Sequence, residues 1–573
     1  MRTISLLSLV LFLVFITQGQ TTISGTLVGS DGQPMAKAHV HLVKLGQLTS
    51  STISPYAMVR SKPIVSVEVA KDGAYKISTD QTGPFLIQYS GVYHSQEKVL
   101  LAAEKPVEET IDVKLAVHKY YTDFSYVKII SDANNFNFHT AQKMTKQPDG
   151  TFTAEFETKA EIFRYQLVEI IGIDGINGTQ SEDFEYDGSG NYRSMVTPKD
   201  GKVRIVFDPR KLVRSDAQAE VRFAEPSSSI GRAATVYKGW MQQRDAVPQA
   251  LAAHLNAGKA GEFTYDVSAE LKRLSDQYAS EKDRIVKQVL LLSQLGVAKG
   301  NRPPKEELLE DLLSRAVKEI SPSSSLWSLD LDDVGRISAI AEGFSSTKEG
   351  QMESEKKKYR RFAEEFLQRN PDAQGKASIL YGKLMSAKKR DDQQAVSTYY
   401  DLLMTKFGDS RVAQLAKERL SPNKNVAVGK TVPRFSLVSM SDPKTTYTND
   451  SFKGKIYLID FWATWCVPCV EELKYLHKAY EKFKTKDFEI LSISLDAAPE
   501  VVVNFRRGKW KMPWLHVLLE KESDHLVSKE FEVIGPPKPI LVDGNTGKIL
   551  AMEGELRGQN LEKTLITFLG KAK

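Results

Sequence analysis

The two residues best suited to chemistry are Cys466 and Cys469, the only cysteines among the 573 residues. An apolar, strand-forming run at residues 456–459 precedes them, and a helix-forming run at residues 471–476 follows. The pair therefore lies where a buried strand meets the start of a helix. The first amides of a helix lack partners and are partly positive, so they stabilise a thiolate there. This placement predicts thiol–disulfide exchange, with Cys466 as the nucleophile and Cys469 closing a small disulfide ring.

Two other interpretations of the pair fit less well. A zinc site needs four ligands, but the sequence has no further cysteine, and the nearest downstream histidine, His477, does not stand at a usual ligand spacing. A purely structural disulfide across so short a loop constrains the unfolded chain little. We therefore expect a redox-active disulfide that uses neither a metal nor a cofactor.

The stretch around the cysteines, residues 460–469 (DFWATWCVPC), resembles the thioredoxin superfamily, and within it the TlpA/ResA-like periplasmic thiol–disulfide oxidoreductases. The resemblance begins at residues 428–437 (VGKTVPRFSL), includes residues 452–455 (FKGK) and ends with residues 533–543 (VIGPPKPILVD). It implies an α/β thioredoxin-like domain over residues 422–573. It also implies that Cys466 attacks a substrate disulfide and that Cys469 resolves the mixed disulfide.

The same resemblance indicates two acids that could take the proton of Cys469. Asp460 stands at the position of thioredoxin's buried aspartate, and burial raises the pKa of a carboxyl. Glu472 lies three residues after Cys469, on the same helix face, and matches the glutamate of ResA-like proteins. Which of the two serves stays open, and a solvated surface role for Glu472 fits equally well. The lysine that partners thioredoxin's aspartate is replaced by Ser492.

A substrate-binding patch is implied beside the cysteines. Pro537 matches the family's cis-proline, which leaves the backbone of residue 536 to pair with a substrate strand. This chain departs from the pattern with Pro536, which has no N–H to offer. We expect Trp465 and Pro468 to complete the contact patch.

Residues 1–20 predict a cleaved secretory signal peptide. Arg2 precedes an apolar run over residues 4–16, which is shorter than the ~20 residues that span a bilayer. An uncleaved anchor is the alternative, and no later stretch predicts a membrane span. We therefore expect a periplasmic or cell-envelope protein, with protein thiols and disulfides as substrates and an upstream membrane electron donor.

The composition excludes a nucleic-acid partner. The 78 Lys and Arg residues nearly balance the 72 Asp and Glu residues, giving a net charge of +6. Basic clusters with interleaved aromatic residues, typical of nucleic-acid binding, are absent from the sequence.

The chain is long enough for several domains of ~150 residues each. Alternating apolar residues predict a β-sandwich over residues 21–117, resembling carboxypeptidase-regulatory-like modules, and a β-rich immunoglobulin-like module over residues 118–225. Helical periodicity predicts an α-helical domain over residues 226–421, with a loose tetratricopeptide-like recurrence.

Two polar groups in the β-rich part admit alternative interpretations. His39 and His41 share one strand face and could ligate a metal, but we expect them to be solvated. Asp183, Asp187 and Asn191 could hold calcium, but we expect a solvated loop.

The sequence thus predicts an exported thiol–disulfide oxidoreductase. Its resemblance to TlpA/ResA-like proteins favours the reduction of protein disulfides. The alternative is a non-catalytic interaction protein in which the thioredoxin-like domain is a redox-gated docking module.

Overall fold

The computed structural model describes residues 19–45, 63–81, 83–118, 124, 126–136, 141–168, 183–188, 190–212, 217–256, 263–343, 353–420, 425–496, 499–508, 510–519, 522–533 and 535–570. The signal-peptide prediction falls almost wholly on residues 1–18, which lie outside this set. Among the described residues, no helix has the length and apolarity needed to cross a bilayer.

The N-terminal part is β-structure in which apolar residues alternate along the strands. Its first strands are β1 (Thr21–Val28), β2 (His39–Lys44), β3 (Val65–Glu68), β4 (Ala74–Thr79), β5 (Phe85–Ser90), β6 (Glu97–Leu101) and β7 (Glu108–Lys114). The strands β2, β3, β5 and β6 form one sheet in the order β3-β2-β5-β6. A second sheet contains β7, β1 and β4, and both sheets contribute to one apolar cluster.

A second β-unit follows. Its strands are β8 (Lys128–Ser131), β9 (Gln142–Lys143), β10 (Thr145–Lys146), β11 (Phe152–Glu157), β12 (Phe163–Val168), β13 (Phe184–Tyr186), β14 (Tyr192–Val196) and β15 (Lys202–Phe207). They form sheets in the orders β13-β14-β12-β8-β9 and β10-β11-β15. The next strand, β16 (Glu220–Phe223), pairs instead with β7 of the first unit. The strand β16 returns to the first unit because the apolar side chains of Val221 and Phe223 pack against the core of that unit.

The central part is helical. It contains α1 (Ser229–Asn256), α2 (Ser268–Ser280), α3 (Arg284–Ala298), α4 (Glu306–Glu319), α5 (Leu331–Ala341), α6 (Glu353–Arg369), α7 (Ala373–Lys389), α8 (Gln393–Phe407) and α9 (Arg411–Leu420). Aspartates begin several helices: the Asp283 carboxylate accepts the Ile285 and Val286 N–H groups at 2.9 and 3.0 Å. The tetratricopeptide-like recurrence remains a prediction.

The C-terminal part has the alternating strands and helices of a thioredoxin-like domain. It begins with a hairpin of two short strands, β17 (Ser436–Val438) and β18 (Thr446–Thr448). The elements that follow, in chain order, are β19 (Ile456–Trp462), α10 (Val467–Phe483), β20 (Phe488–Ser494), α11 (Pro499–Arg507), β21 (Leu515–Leu518), α12 (Glu522–Glu530), β22 (Lys538–Asp543), β23 (Ile549–Met552) and α13 (Gln559–Leu569). The sheet order is β21-β20-β19-β22-β23, with β19 parallel to β20 and antiparallel to β22.

The central strand β19 separates two apolar layers because its side chains alternate. Leu458 and Trp462 pack on one face with residues of α10 and α13. Ile459 and Phe461 pack on the other face, in a cluster that includes α12. Asp460 lies on the same strand face as Leu458 and Trp462, so its carboxyl faces the α10 layer.

Two side-chain expectations for the β-rich part were wrong. His41 is not solvated but 2% exposed, because the β13–β14 hairpin covers it and Tyr186 stacks beside it with ring centroids 5.2 Å apart. The expected solvated loop does not extend to Asn191, which is 4% exposed. The Asp183 side chain is 61% exposed, and its carboxylate pairs with the Lys37 ammonium at 2.8 Å. These contacts join the first β-unit to the second.

Candidate active site around Cys466 and Cys469

The cysteines lie where the sequence places them, between β19 and α10. Cys466 is the N-cap residue of α10, and the N–H of Cys469 donates to Cys466 Sγ across 3.2 Å. The two residues form a disulfide and are 5% and 3% exposed, so they differ little in burial. The helix therefore aims an N–H donor at the sulfur that must carry negative charge when reduced.

The implied substrate patch surrounds this disulfide with two exposed side chains. Trp465 is 37% exposed, and Pro468 is also exposed. They flank Cys466 in sequence, on the loop and on the first turn of α10 respectively. The arrangement presents an apolar surface next to a nearly buried sulfur.

The proline pair is adjacent to this loop through strand register. The peptide bond between Pro536 and Pro537 is cis, as the sequence predicts. In the antiparallel β19–β22 pair, Phe461 is opposite Lys538, the residue that follows Pro537. The end of β19 that leads to Cys466 thus lies beside the start of β22, which directly follows the two prolines.

Asp460 is a buried acid, 5% exposed, on the face of β19 that packs against the α10 layer. Burial raises the pKa of Asp460 to about 7, and the negative charge of Glu472 adds to the rise, while a hydrogen bond from Ser492 and the charge of Arg557 oppose it. The Ser492 hydroxyl donates to Asp460 Oδ2 across 3.5 Å. The indole N–H of Trp514 donates to that hydroxyl at 2.8 Å, so a polar chain of three side chains leads into the core.

Glu472 is held by the segment that precedes α13. Its Oε2 accepts the Gly558 N–H at 2.7 Å, and its Oε1 lies 3.4 Å from Arg557 Nε. The solvated surface role considered for Glu472 is therefore not what the structure shows. The carboxylate joins α10 to α13 and acts electrostatically on Asp460.

Asp496, which the sequence did not single out, holds the loop before Cys466. Its carboxylate accepts the Thr464 N–H at 3.1 and 3.0 Å, the Thr464 hydroxyl at 2.7 Å and the Ser494 hydroxyl at 2.7 Å. Burial raises the pKa of Asp496, whereas these hydrogen bonds and the charge of Lys128 lower it. The sequence did contain a signal for it. Asp496 comes two residues after the apolar strand β20, at the carboxyl end of the sheet, where α/β proteins place functional groups.

His477 lies on α10 and packs in an aromatic layer with two tryptophans. Its ring lies 5.4 Å from that of Trp510 and 4.8 Å from that of Trp514, measured between centroids. Burial lowers the pKa of His477. Among the described residues, no group of three or more His, Cys, Asp or Glu side chains could hold a metal ion.

Comparisons with known proteins agree with this geometry. Residues 427–526 match the family model described as Redoxin. The thiol-disulfide oxidoreductase ResA from Bacillus cereus is 31% identical over 146 residues, which make up 25% of this chain and 80% of that protein. The chain belongs to the ResA family of thiol-disulfide oxidoreductases. This ResA-family enzyme also resembles the thiol:disulfide interchange protein DsbE of Vibrio cholerae, with 27% identity over 25% of this chain and 73% of that protein.

A solved thioredoxin domain of a thiol-disulfide oxidoreductase from Bacteroides vulgatus is 35% identical, covering 25% of this chain and 99% of that one, with a TM-score of 0.23. Each of these matches covers about a quarter of the ResA-family chain.

Proposed function

We propose that this enzyme is exported and reduces protein disulfides through Cys466 and Cys469. The observation that carries the proposal is the Cys469 N–H aimed at Cys466 Sγ at the start of α10, 3.2 Å away. In the reduced protein this donor stabilises the Cys466 thiolate, which attacks one sulfur of a substrate disulfide. A mixed disulfide forms, and the other substrate sulfur leaves as a thiolate.

The second step returns the electron pair to the substrate. Cys469 loses its proton and attacks Cys466 Sγ, the mixed disulfide breaks, and the substrate leaves with both of its sulfurs reduced. The enzyme is left with the Cys466–Cys469 disulfide, so each turnover consumes two electrons. An upstream membrane electron donor would have to supply them.

We assign the proton acceptor for Cys469 to Asp460 and not to Glu472. A pKa of about 7 allows Asp460 to accept and return a proton near neutral pH. Both oxygens of Glu472 already have partners, in the Gly558 N–H and the Arg557 side chain. Glu472 therefore raises the basicity of Asp460 and holds α10 in place.

The substrate strand is proposed to lie between Trp465, Pro468 and the backbone at Pro536. A strand added to a free backbone is held by main-chain hydrogen bonds. Pro536 offers only its C=O, so we expect weaker binding of the client strand than a residue with an N–H would give.

The export proposal is supported by the apolar run at residues 4–16 behind Arg2. Mass spectrometry of the protein recovered from the cell envelope tests it, because cleavage near residue 20 removes about 2 kDa at the average residue mass. A mature chain that still begins at Met1 and resides in the cytoplasm would contradict export.

The catalytic proposal is tested by the reduction of insulin disulfides with dithiothreitol as the electron source. Cys466→Ser is expected to abolish the acceleration. Reduced Cys469→Ser protein, mixed with insulin after the dithiothreitol is removed, is expected to trap a mixed disulfide that added dithiothreitol then releases. If Cys466→Ser retained the full acceleration, the thioredoxin-like domain would serve as a docking module instead.

A further inference from the structure

A row of buried polar side chains crosses the sheet of the thioredoxin-like domain. Strand register places Asp460 of β19 opposite Ser492 of β20, and Ser492 opposite His516 of β21. On its other side, Asp460 is opposite Pro539 of β22, which has no polar side chain. In the described part of the chain, the Ser492 hydroxyl is the one group hydrogen-bonded to the Asp460 carboxyl.

The neighbours of Ser492 determine where its single hydroxyl hydrogen points. The indole N–H of Trp514 can only donate, so the 2.8 Å bond from Trp514 Nε1 uses the hydroxyl oxygen as an acceptor. The His516 ring does not take the hydrogen, because its Nδ1 is buried without a hydrogen-bond partner and its Nε2 is bonded to Met512 O at 3.1 Å. The hydrogen is therefore left for Asp460 Oδ2.

This donor acts on the charge of Asp460. A hydrogen bond donated to a carboxyl favours its ionised form, so the Ser492 hydroxyl lowers the pKa of Asp460. The charged groups that act on the same acid are Glu472 of α10, which raises its pKa, and Arg557 of the segment before α13, which lowers it. Burial keeps His516 neutral by lowering its pKa to about 3. Ser492 is thus the uncharged group that opposes the effect of burial on Asp460.

Trp514 reaches Asp460 through Ser492. An N–H that bonds to a hydroxyl oxygen polarises the hydroxyl and strengthens its donation to the next acceptor. The indole also restricts the rotation of the hydroxyl, because one of its oxygen lone pairs is occupied. The effect of Trp514 on Asp460 should therefore depend on the presence of the Ser492 hydroxyl.

We propose that Ser492 and Trp514 are positioning residues that favour the ionised carboxylate of Asp460, the form that accepts the proton of Cys469. Trp514 directs the hydroxyl, and the hydroxyl donates to the acid. Neither residue gains or loses a proton in the reaction. The catalytic value of this pair rests on the proposed function, whereas its effect on the ionisation of Asp460 does not.

The ionisation of Asp460 is measured in the oxidised full chain, so the readout needs no turnover. The infrared band of the protonated carboxyl is followed against pH, and its loss in Asp460→Asn identifies the band. Ser492→Ala removes the donor and should move the midpoint upward by about 0.5–1 pH unit, a modest shift because 3.5 Å is long for a hydroxyl hydrogen bond. Trp514→Phe should move the midpoint in the same direction by less.

The decisive comparison is the double variant. If Trp514 acts through Ser492, Trp514→Phe should cause no further shift in the Ser492→Ala chain, whereas a general packing effect would shift the midpoint in both backgrounds. The matched control is Trp510→Phe, which removes an indole that packs against His477 and should leave the midpoint unchanged. Near-ultraviolet circular dichroism checks that the variants fold.

Two results would overturn the proposal: an unchanged midpoint in Ser492→Ala, or a shift by Trp514→Phe that is equal with and without the Ser492 hydroxyl. Failure of the proposed function gives a different result. In that case Cys466→Ser would retain the reduction of insulin, while the midpoint shifts of Asp460 would still appear.

Discussion

After the two cysteines, Asp460 is the residue on which the proposed mechanism depends most. Asp460→Asn preserves the shape of the side chain but cannot accept a proton. We expect the resolution of the mixed disulfide to slow by about 10²-fold or more, within the range for general-base catalysis. The wild-type rate should rise with pH through about 7, where Asp460 ionises, and this rise should be absent in the variant. Stopped-flow measurement of mixed-disulfide decay between pH 5 and 9 gives both quantities; an unchanged profile would contradict the assignment.

Asp460 also has a consequence for stability. Its pKa is about 7 in the folded protein against a reference of 3.8, so the folded state holds an extra proton between these values. Stability is therefore lost as the pH rises through this window. Asp460→Asn should raise the free energy of unfolding at pH 8 by about 2–4 kcal/mol and have little effect at pH 4. Guanidinium titrations at the two pH values measure the difference; equal effects at both would contradict it.

Asp496 allows a test of loop positioning that separates charge from hydrogen bonding. Asp496→Asn removes a negative charge near Cys466, so the thiolate should form at lower pH. Thr464→Val removes the 2.7 Å hydroxyl bond but keeps the charge, and should shift thiolate formation less. The pH dependence of Cys466 alkylation by iodoacetamide distinguishes them. Equal shifts in both variants would mean that Asp496 acts through loop geometry alone.

At the residue scale, the sequence predicted the positions that a local pattern marks. The Cys-x-x-Cys spacing, Asp460 and the cis bond before Pro537 all come from short motifs. The contacts of Ser492 with Trp514, and of Asp496 with Thr464, join residues far apart in sequence. They depend on strand register, which the sequence leaves undetermined.

At the scale of elements, α10 depends on its connection to the segment before α13. Glu472→Gln keeps an oxygen for the Gly558 N–H but removes the charge that raises the pKa of Asp460. The pH midpoint of mixed-disulfide resolution should therefore move to lower pH, while the maximal rate stays close to that of the wild type. A loss of rate as large as in Asp460→Asn would instead identify Glu472 as the proton acceptor.

The strand edge at Pro536 gives a second prediction at this scale. Pro536→Thr restores a backbone N–H where the substrate strand is proposed to bind. One added hydrogen bond is worth about 0.5–1.5 kcal/mol, so KM for a disulfide-bearing peptide should fall about 2- to 10-fold. Steady-state kinetics measure KM and kcat separately, and Pro539→Thr is a control three residues further along the chain, within β22. An unchanged KM would show that this edge does not hold the substrate.

At the scale of the whole molecule, the sequence predicted the kinds of structure but not how they combine. Alternating and helical periodicities correctly indicated β-rich, helical and α/β parts along the chain. They could not indicate that β16 returns to the sheet of the first β-unit, because that depends on which core Val221 and Phe223 enter. Nor could they indicate that the rings of His39 and Tyr186 stack 3.8 Å apart between the two β-units.

The most direct test of the account is a redox titration of the full chain in thiol–disulfide buffers, with Cys469→Ser as the control. A protein that reduces client disulfides should have a midpoint near that of thioredoxin, about −270 mV. The control cannot form the Cys466–Cys469 disulfide, so it should lack the transition of the intramolecular pair and form only a mixed disulfide with the buffer thiol. A midpoint near the strongly oxidising value of about −120 mV would contradict the account, because the Cys466–Cys469 disulfide would then be donated to clients.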